Sequence, residues 1–176
     1  MFVIAFLAAV AVQVEASSSA KTLSDKEAGK IIVASGEKQA KTRRQIRGWS
    51  DEQVASELGK AISDKTKLIY QLGHGVYVEY TAPNGSLRMW YPKNVNVVKG
   101  TWGLREMRGK MRACFHYTEA VNPMTQVFEP TECVTAEQTL SEADVLQSWD
   151  GDVFRLMDDR IPYSKGVMDV PSPRGS

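Results

Sequence analysis

Residues 75–91 read GVYVEYTAPNGSLRMWY, two alternating runs on either side of Pro83-Asn84-Gly85. Asn-Gly between such runs is a hairpin signal, because both residues tolerate the positive φ that a tight primed turn requires. Taking Asn84-Gly85 as a two-residue turn sets Ala82 against Leu87, Tyr80 against Met89 and Val78 against Tyr91. Successive side chains in a strand point to opposite faces. Val76, Val78, Tyr80, Leu87, Met89 and Tyr91 then share a core face. Tyr77, Glu79, Thr81, Arg88 and Trp90 share the other. A one-residue slip exchanges the faces, so this assignment rests on the turn.

Outward from the hairpin, the period-two pattern starts near Leu68 and continues through strands expected at 96–105, 110–118 and 125–134. Met107-Arg108-Gly109 and the loop 119–124 join them. Two helices precede the strands. At 23–36, Ser24 and Glu27 form a capping box, Leu23 and Ala28 a staple, and Gly36 an end. At 50–63, Ser50 and Gln53 repeat the box, and Val54, Leu58 and Ile62 make one apolar stripe. Between them, 37–48 reads as a polar, basic linker. A short helix is expected at 141–149, a last strand at 152–157 after Asp150-Gly151, and a proline-containing tail beyond. The fold class is α+β: an antiparallel β meander, open or curled into a barrel or half-barrel, with one or two packed amphipathic helices.

The chain has 176 residues, 43% apolar and 24% charged, with 22 basic against 21 acidic side chains for a net charge of +1. That balance excludes the basic excess of a nucleic-acid binder and the composition of a disordered chain. Residues 2–12 are an unbroken apolar run, followed by Val14, Ala16 and three serines. At eleven residues the run is too short for a bilayer span and fits a secretory signal peptide over 1–16, with a cut as late as 20. No transmembrane segment is expected elsewhere. The division that follows is a helix and basic linker over 21–47, a β-rich domain over 48–157 and a tail over 158–176. The expected location is periplasmic or secreted. In that setting Cys114 and Cys133 are read as a disulfide between neighbouring strands.

The sequence offers little for catalysis. His74 and His116 stand far apart with no ligand spacing, so neither metal nor cofactor is expected. There is no nucleophile elbow and no phosphate-cradling loop. Binding has the better case. Tyr77, Glu79, Arg88 and Trp90 form an amphipathic patch on the non-core face, either a ligand or partner site or the surface on which helix 50–63 lies. Lys41, Arg43, Arg44 and Arg47 would give a weak contact with an anionic surface, or simply a solvated stretch.

Tyr77-Val78-Glu79-Tyr80, Pro83-Asn84-Gly85, Gly100-x-Trp102 and the pair Cys114 and Cys133 resemble the pattern of small exported alphaproteobacterial proteins of unassigned function. That resemblance implies an exported, disulfide-tied β-domain. Gly100-x-Trp102 is also similar to the signature of lipocalin-like barrels and barrel-shaped bacterial protease inhibitors, although here at least two strands precede it. The expected function is a non-enzymatic binding or interaction module of the bacterial envelope, its partner an envelope protein or small ligand. The alternatives are an inhibitor of a secreted hydrolase acting through the loop 119–124 and, more remotely, a histidine-dependent hydrolase.

Overall fold

Ser24 opens the first helix as its sequence predicts. Its hydroxyl accepts from the Glu27 amide while the Glu27 carboxylate accepts from the Ser24 amide. In a computed structural model, which describes residues 21–72, 75–92, 94–118, 131–162, 166 and 168–173, this helix, α1, spans Asp25–Gln45. Gly36 does not end it, and the expected linker is largely helical. A mid-helix glycine costs only about 1 kcal/mol, and Glu37, Lys38, Gln39, Ala40 and Lys41 after it all favour helix. Arg43 and Arg44 occupy the last turn, where the helix dipole favours cations. A 3-10 turn, Ile46–Gly48, leads to α2, Asp51–Ile62, capped by Ser50 and Gln53 with Val54, Leu58 and Ile62 buried. The expected signal peptide lies outside the described residues.

The strands are β1 (Lys21–Thr22), β2 (Lys65–Gln71), β3 (Gly75–Thr81), β4 (Ser86–Trp90), β5 (Val98–Glu106), β6 (Met111–Thr118), β7 (Thr131–Thr135), β8 (Val145–Asp150) and β9 (Asp169–Val170). Seven form one antiparallel sheet in the order β7-β6-β5-β4-β3-β2-β8, curled into a half-barrel. This is the α+β meander the sequence predicts. A third helix, α3 (Ala136–Ser141), connects the two edge strands β7 and β8. Cys114 and Cys133 are direct cross-strand partners on β6 and β7, their Cα atoms 4.0 Å apart, and form a disulfide.

The hairpin register differs from the expected one. Thr81 faces Leu87, Tyr80 faces Arg88, Glu79 faces Met89 and Val78 faces Trp90. The loop has three residues rather than two: the Ala82 amide donates to the Ser86 carbonyl around Pro83-Asn84-Gly85, and Gly85 sits at φ +83°. A three-residue loop with a left-handed glycine is the next commonest hairpin connection. Its extra residue turns β4 over. Val76, Val78 and Tyr80 keep one face of β3, but their neighbours are now Arg88 and Trp90, while Tyr77, Glu79 and Thr81 lie with Leu87, Met89 and Tyr91.

Both faces of the central strands are buried. On one, Leu68, Val76, Val78, Tyr80 and Trp90 meet Leu23 and Ala28 at the start of α1, with Phe154 and Leu156. On the other, Ile69, Tyr77, Leu87, Met89, Tyr91 and Tyr117 cluster. Val54 and Leu58 of α2 pack with Ala136, Leu104 and Met111 beside that second cluster.

The C-terminal expectations need three corrections. The helix expected at 141–149 is instead α3, placed earlier by the Thr135–Gln138 capping box and ended by Glu142 in the left-handed region. The residues after it, Val145–Asp150, pair with the open edge of β2. Residues 152–157 are not a strand, because the Asp152 carboxylate accepts from the Leu156 and Met157 amides and bends the chain into a 3-10 turn, Leu156–Asp158. Within the expected tail, Asp169–Val170 pairs with Lys21–Thr22. Of the strand expected over 125–134, the described part is β7; the rest, and the loop 119–124, lie outside the described residues. No helix among the described residues is long and apolar enough to cross a membrane.

Candidate functional site

Alternation along the strands puts Lys67 and Ile69 of β2, Tyr77 and Glu79 of β3 and Tyr117 of β6 on the face beneath the helices. With Gln39 of α1, Ile62 of α2 and Gln138 of α3 they line a pocket of about 130 Å³. In a flat sheet β2 and β6 would stand ~19 Å apart, four strand spacings. Both reach one small pocket because the sheet curls. An apolar cavity of ~150 Å³ holds a benzene molecule, so the space here suits a ligand of roughly six non-hydrogen atoms.

The walls are both aromatic and acidic. Tyr77, Phe115 and Tyr117 contribute rings, while Glu79, Glu132 and Asp144 contribute carboxyl groups. Lys67 is the lining residue with an ammonium group, and that group bridges to Glu142 at 2.9 Å. Glu79 is buried, and the Tyr117 hydroxyl donates to its Oε2 at 3.0 Å. Burial pushes the Glu79 carboxyl up to about 7, against the lowering effect of the Tyr117 hydrogen bond. Burial also raises Asp144, and lifts the Tyr77 and Tyr117 phenols well above their ordinary value. The Tyr77 hydroxyl donates to Gln71 Oε1 at 3.3 Å.

The Lys67 ammonium draws the Glu79 and Asp144 carboxyls back towards ionisation, but burial prevails at both. A carboxylate in low dielectric prefers the neutral form until a cation faces it, and aromatic faces attract cations through their quadrupole. Among the described residues no group of three or more metal-ligating side chains stands together.

Of the four residues expected to form one patch, the structure brings two together. Tyr77 and Glu79 line the pocket; Arg88 and Trp90 lie on the opposite face of the sheet. Trp90 is 1% exposed and its indole donates to the Asn94 carbonyl at 3.0 Å, so it is core. Arg88 is half-buried and donates from Nη1 to the Leu87 carbonyl at 2.9 Å. Helix 50–63 reaches the Tyr77–Glu79 face, where the Ile62 carbonyl accepts from the Thr81 hydroxyl, and leaves the pocket beside it.

Lys67, Tyr117, Glu132 and Asp144 were not singled out by sequence. Tyr117 alternates with Phe115, a pattern that reads as core. Lys67 alternates with Ile69 ahead of the hairpin, in a strand that also carries Lys65, so its lysine gave no distinct signal. His116 is exposed, its Nδ1 2.8 Å from the Thr131 hydroxyl; His74 lies outside the described residues. Gly100 allows the close approach its type suggests: a Cβ there would run into the His116 carbonyl oxygen. Trp102 closes over the hairpin turn, donating from its indole to Ala82 and from its amide to Gly85, each at 2.8 Å. Comparison with protein-family models, curated proteins and solved structures finds no match to this chain.

Proposed function

We propose that the protein is a binding module of an oxidising compartment, the bacterial periplasm or exterior, and that its pocket holds a small organic cation such as a short alkylamine. The observation that carries this reading is Glu79, a buried carboxyl lining a pocket beside Tyr77 and Tyr117. Burying a carboxyl is costly unless it is fully paired, and the Tyr117 hydroxyl and the Lys67 charge offset only part of that cost at Glu79, which leaves a cationic guest something to meet. The disulfide supports the compartment, because such bonds persist where thiols are not kept reduced.

Calorimetric titration with n-butylamine and putrescine, against butyrate and butanol as matched probes, tests the reading. The amines should bind and the others should not. Glu79→Gln should weaken amine binding by ~10-fold or more, the usual weight of a hydrogen bond to a charged group. Binding should release a proton near neutral pH, because the cation favours the ionised Glu79. Equal response to amine and carboxylate would sink the reading.

A further inference from the structure

A second concavity lies between the end of α1 and the β5–β6 hairpin. Its volume is about 720 Å³, and Arg43, Arg47, Lys110, Arg112, Trp49 and Met111 are among its walls. The two basic stretches that meet here, 41–47 and 105–112, are almost sixty residues apart in the chain. Together they carry eight basic side chains and one acidic, a net charge of +7. The remainder of the chain therefore carries −6 out of a total of +1. Four of these cations, Arg43, Arg47, Lys110 and Arg112, line the groove against the two carboxylates of Asp51 and Glu137, and clustered charge of one sign raises the local concentration of its counter-ion.

Local pairing does not cancel this charge. Arg43 meets Glu137 at 3.3 Å, and Asp51 also borders the groove. Arg47, Lys110 and Arg112 have no carboxylate within salt-bridge distance among the described residues. Arg112 stands directly opposite Arg105 on the neighbouring strand, an unfavourable juxtaposition of like charges, and its Nε is buried without a hydrogen-bond partner. Beside these cations stand two exposed apolar side chains: Trp49, 39% exposed, and Met107, 43% exposed, at the hairpin tip.

We infer that this basic end docks on an anionic phospholipid bilayer, the groove taking a lipid phosphate while Trp49 and Met107 enter the interface. Arginine forks match phosphate oxygens, and Trp is favoured at the headgroup level. An acidic protein would meet the same cations, but the exposed Trp and Met beside them favour the lipid. The inference is independent of the amine pocket, since the described residues lining the two cavities differ.

The test is co-sedimentation of the full chain with vesicles of phosphatidylcholine alone and of phosphatidylcholine mixed with phosphatidylglycerol. The apolar run at 2–12 acts on both, so the difference between vesicles reads the basic end. Binding should be at least ~10-fold stronger on the anionic vesicles and should fall away between about 0.05 and about 0.3 M salt. The double variant Arg47→Glu/Lys110→Glu should lose roughly fivefold per cation, ~25-fold or more for the pair. Lys26→Glu/Lys30→Glu, the same charge change near the far end of α1, should lose less than about threefold. Trp49→Ala, which leaves the charge intact, should also weaken binding. Equal partition to both vesicles, or equal loss in both charge-reversal pairs, would overturn the inference. So would binding to soluble polyglutamate without vesicle binding, which would assign the surface to an acidic protein.

Discussion

Tyr117 on β6 donates a hydrogen bond of 3.0 Å to Glu79 on β3, although two whole strands, β4 and β5, lie between them. The contact exists because the sheet curls, and it gives a buried carboxyl one partner where ionisation asks for more. Tyr117 is thus both a wall of the pocket and a ring over the inner cluster of Leu87 and Met89.

That carboxyl should make stability depend on pH. Its folded value of about 7 lies above the ordinary 4.5, so the contribution is intact below about 4.5 and lost as pH rises towards 7. The full penalty is on the order of 3 kcal/mol. Glu79→Gln keeps an acceptor for Tyr117 and removes the ionisation. Urea melts should show the variant close to wild type at pH 4 and more stable at pH 8. A variant no more stable at pH 8 than at pH 4, relative to wild type, would contradict the assignment.

Trp90→Ala should act on the fold. Removing a fully buried tryptophan from the cluster of Leu68, Val78 and Tyr80 should cost about 3–5 kcal/mol. Thermal denaturation should show a large loss of Tm, while amine binding measured well below that temperature should change little. An unaltered Tm would place Trp90 outside the core.

Gly100 and Gly103 sit three residues apart on β5 and should respond oppositely to alanine. A Cβ on Gly100 meets the His116 carbonyl oxygen and Leu87, whereas one on Gly103 meets nothing within 4 Å. Gly100→Ala should therefore force β5 and β6 apart and cost more than about 2 kcal/mol; Gly103→Ala should be neutral or mildly stabilising. Denaturant midpoints of the two variants decide it.

The disulfide should matter globally. Closing a loop between positions nineteen apart stabilises by roughly 3 kcal/mol in the chain-entropy model. Melts with and without reductant should differ by about that amount, and alkylation after reduction of the unfolded protein should add mass at two cysteines. Mass added by alkylation of the unfolded protein without reductant would mean that the thiols were already free.

What was legible in the sequence was local. Ser24, Glu27, Ser50 and Gln53 announce their helix starts because a capping box satisfies backbone groups within four residues. Cys114 and Cys133 announce their bond because two cysteines are the whole complement of the chain and both fall on expected strands. The register of the hairpin was less accessible, since Pro83-Asn84-Gly85 accommodates a two- or a three-residue loop and one residue turns β4 over. The pocket was less accessible still. Tyr117 and Glu79 meet through curl, and Arg47 and Lys110 meet through the docking of α1. Neither the curl nor the docking leaves a spacing to read.

The pairing of Lys21–Thr22 with Asp169–Val170 sets an order for assembly. Leu23 donates its amide to the Met168 carbonyl, and Thr22 its hydroxyl to the Asp169 carboxylate at 2.9 Å. The first turn of α1 is therefore held by residues made some 147 positions later. A chain emerging from its N-terminus can complete the meander, and offer Leu23 and Ala28 the apolar face of Leu68, Val78 and Trp90, before that clasp exists. The clasp on the helix start can close only once Asp169 and Val170 are in place, and a protease that trims residues 168–173 would release it.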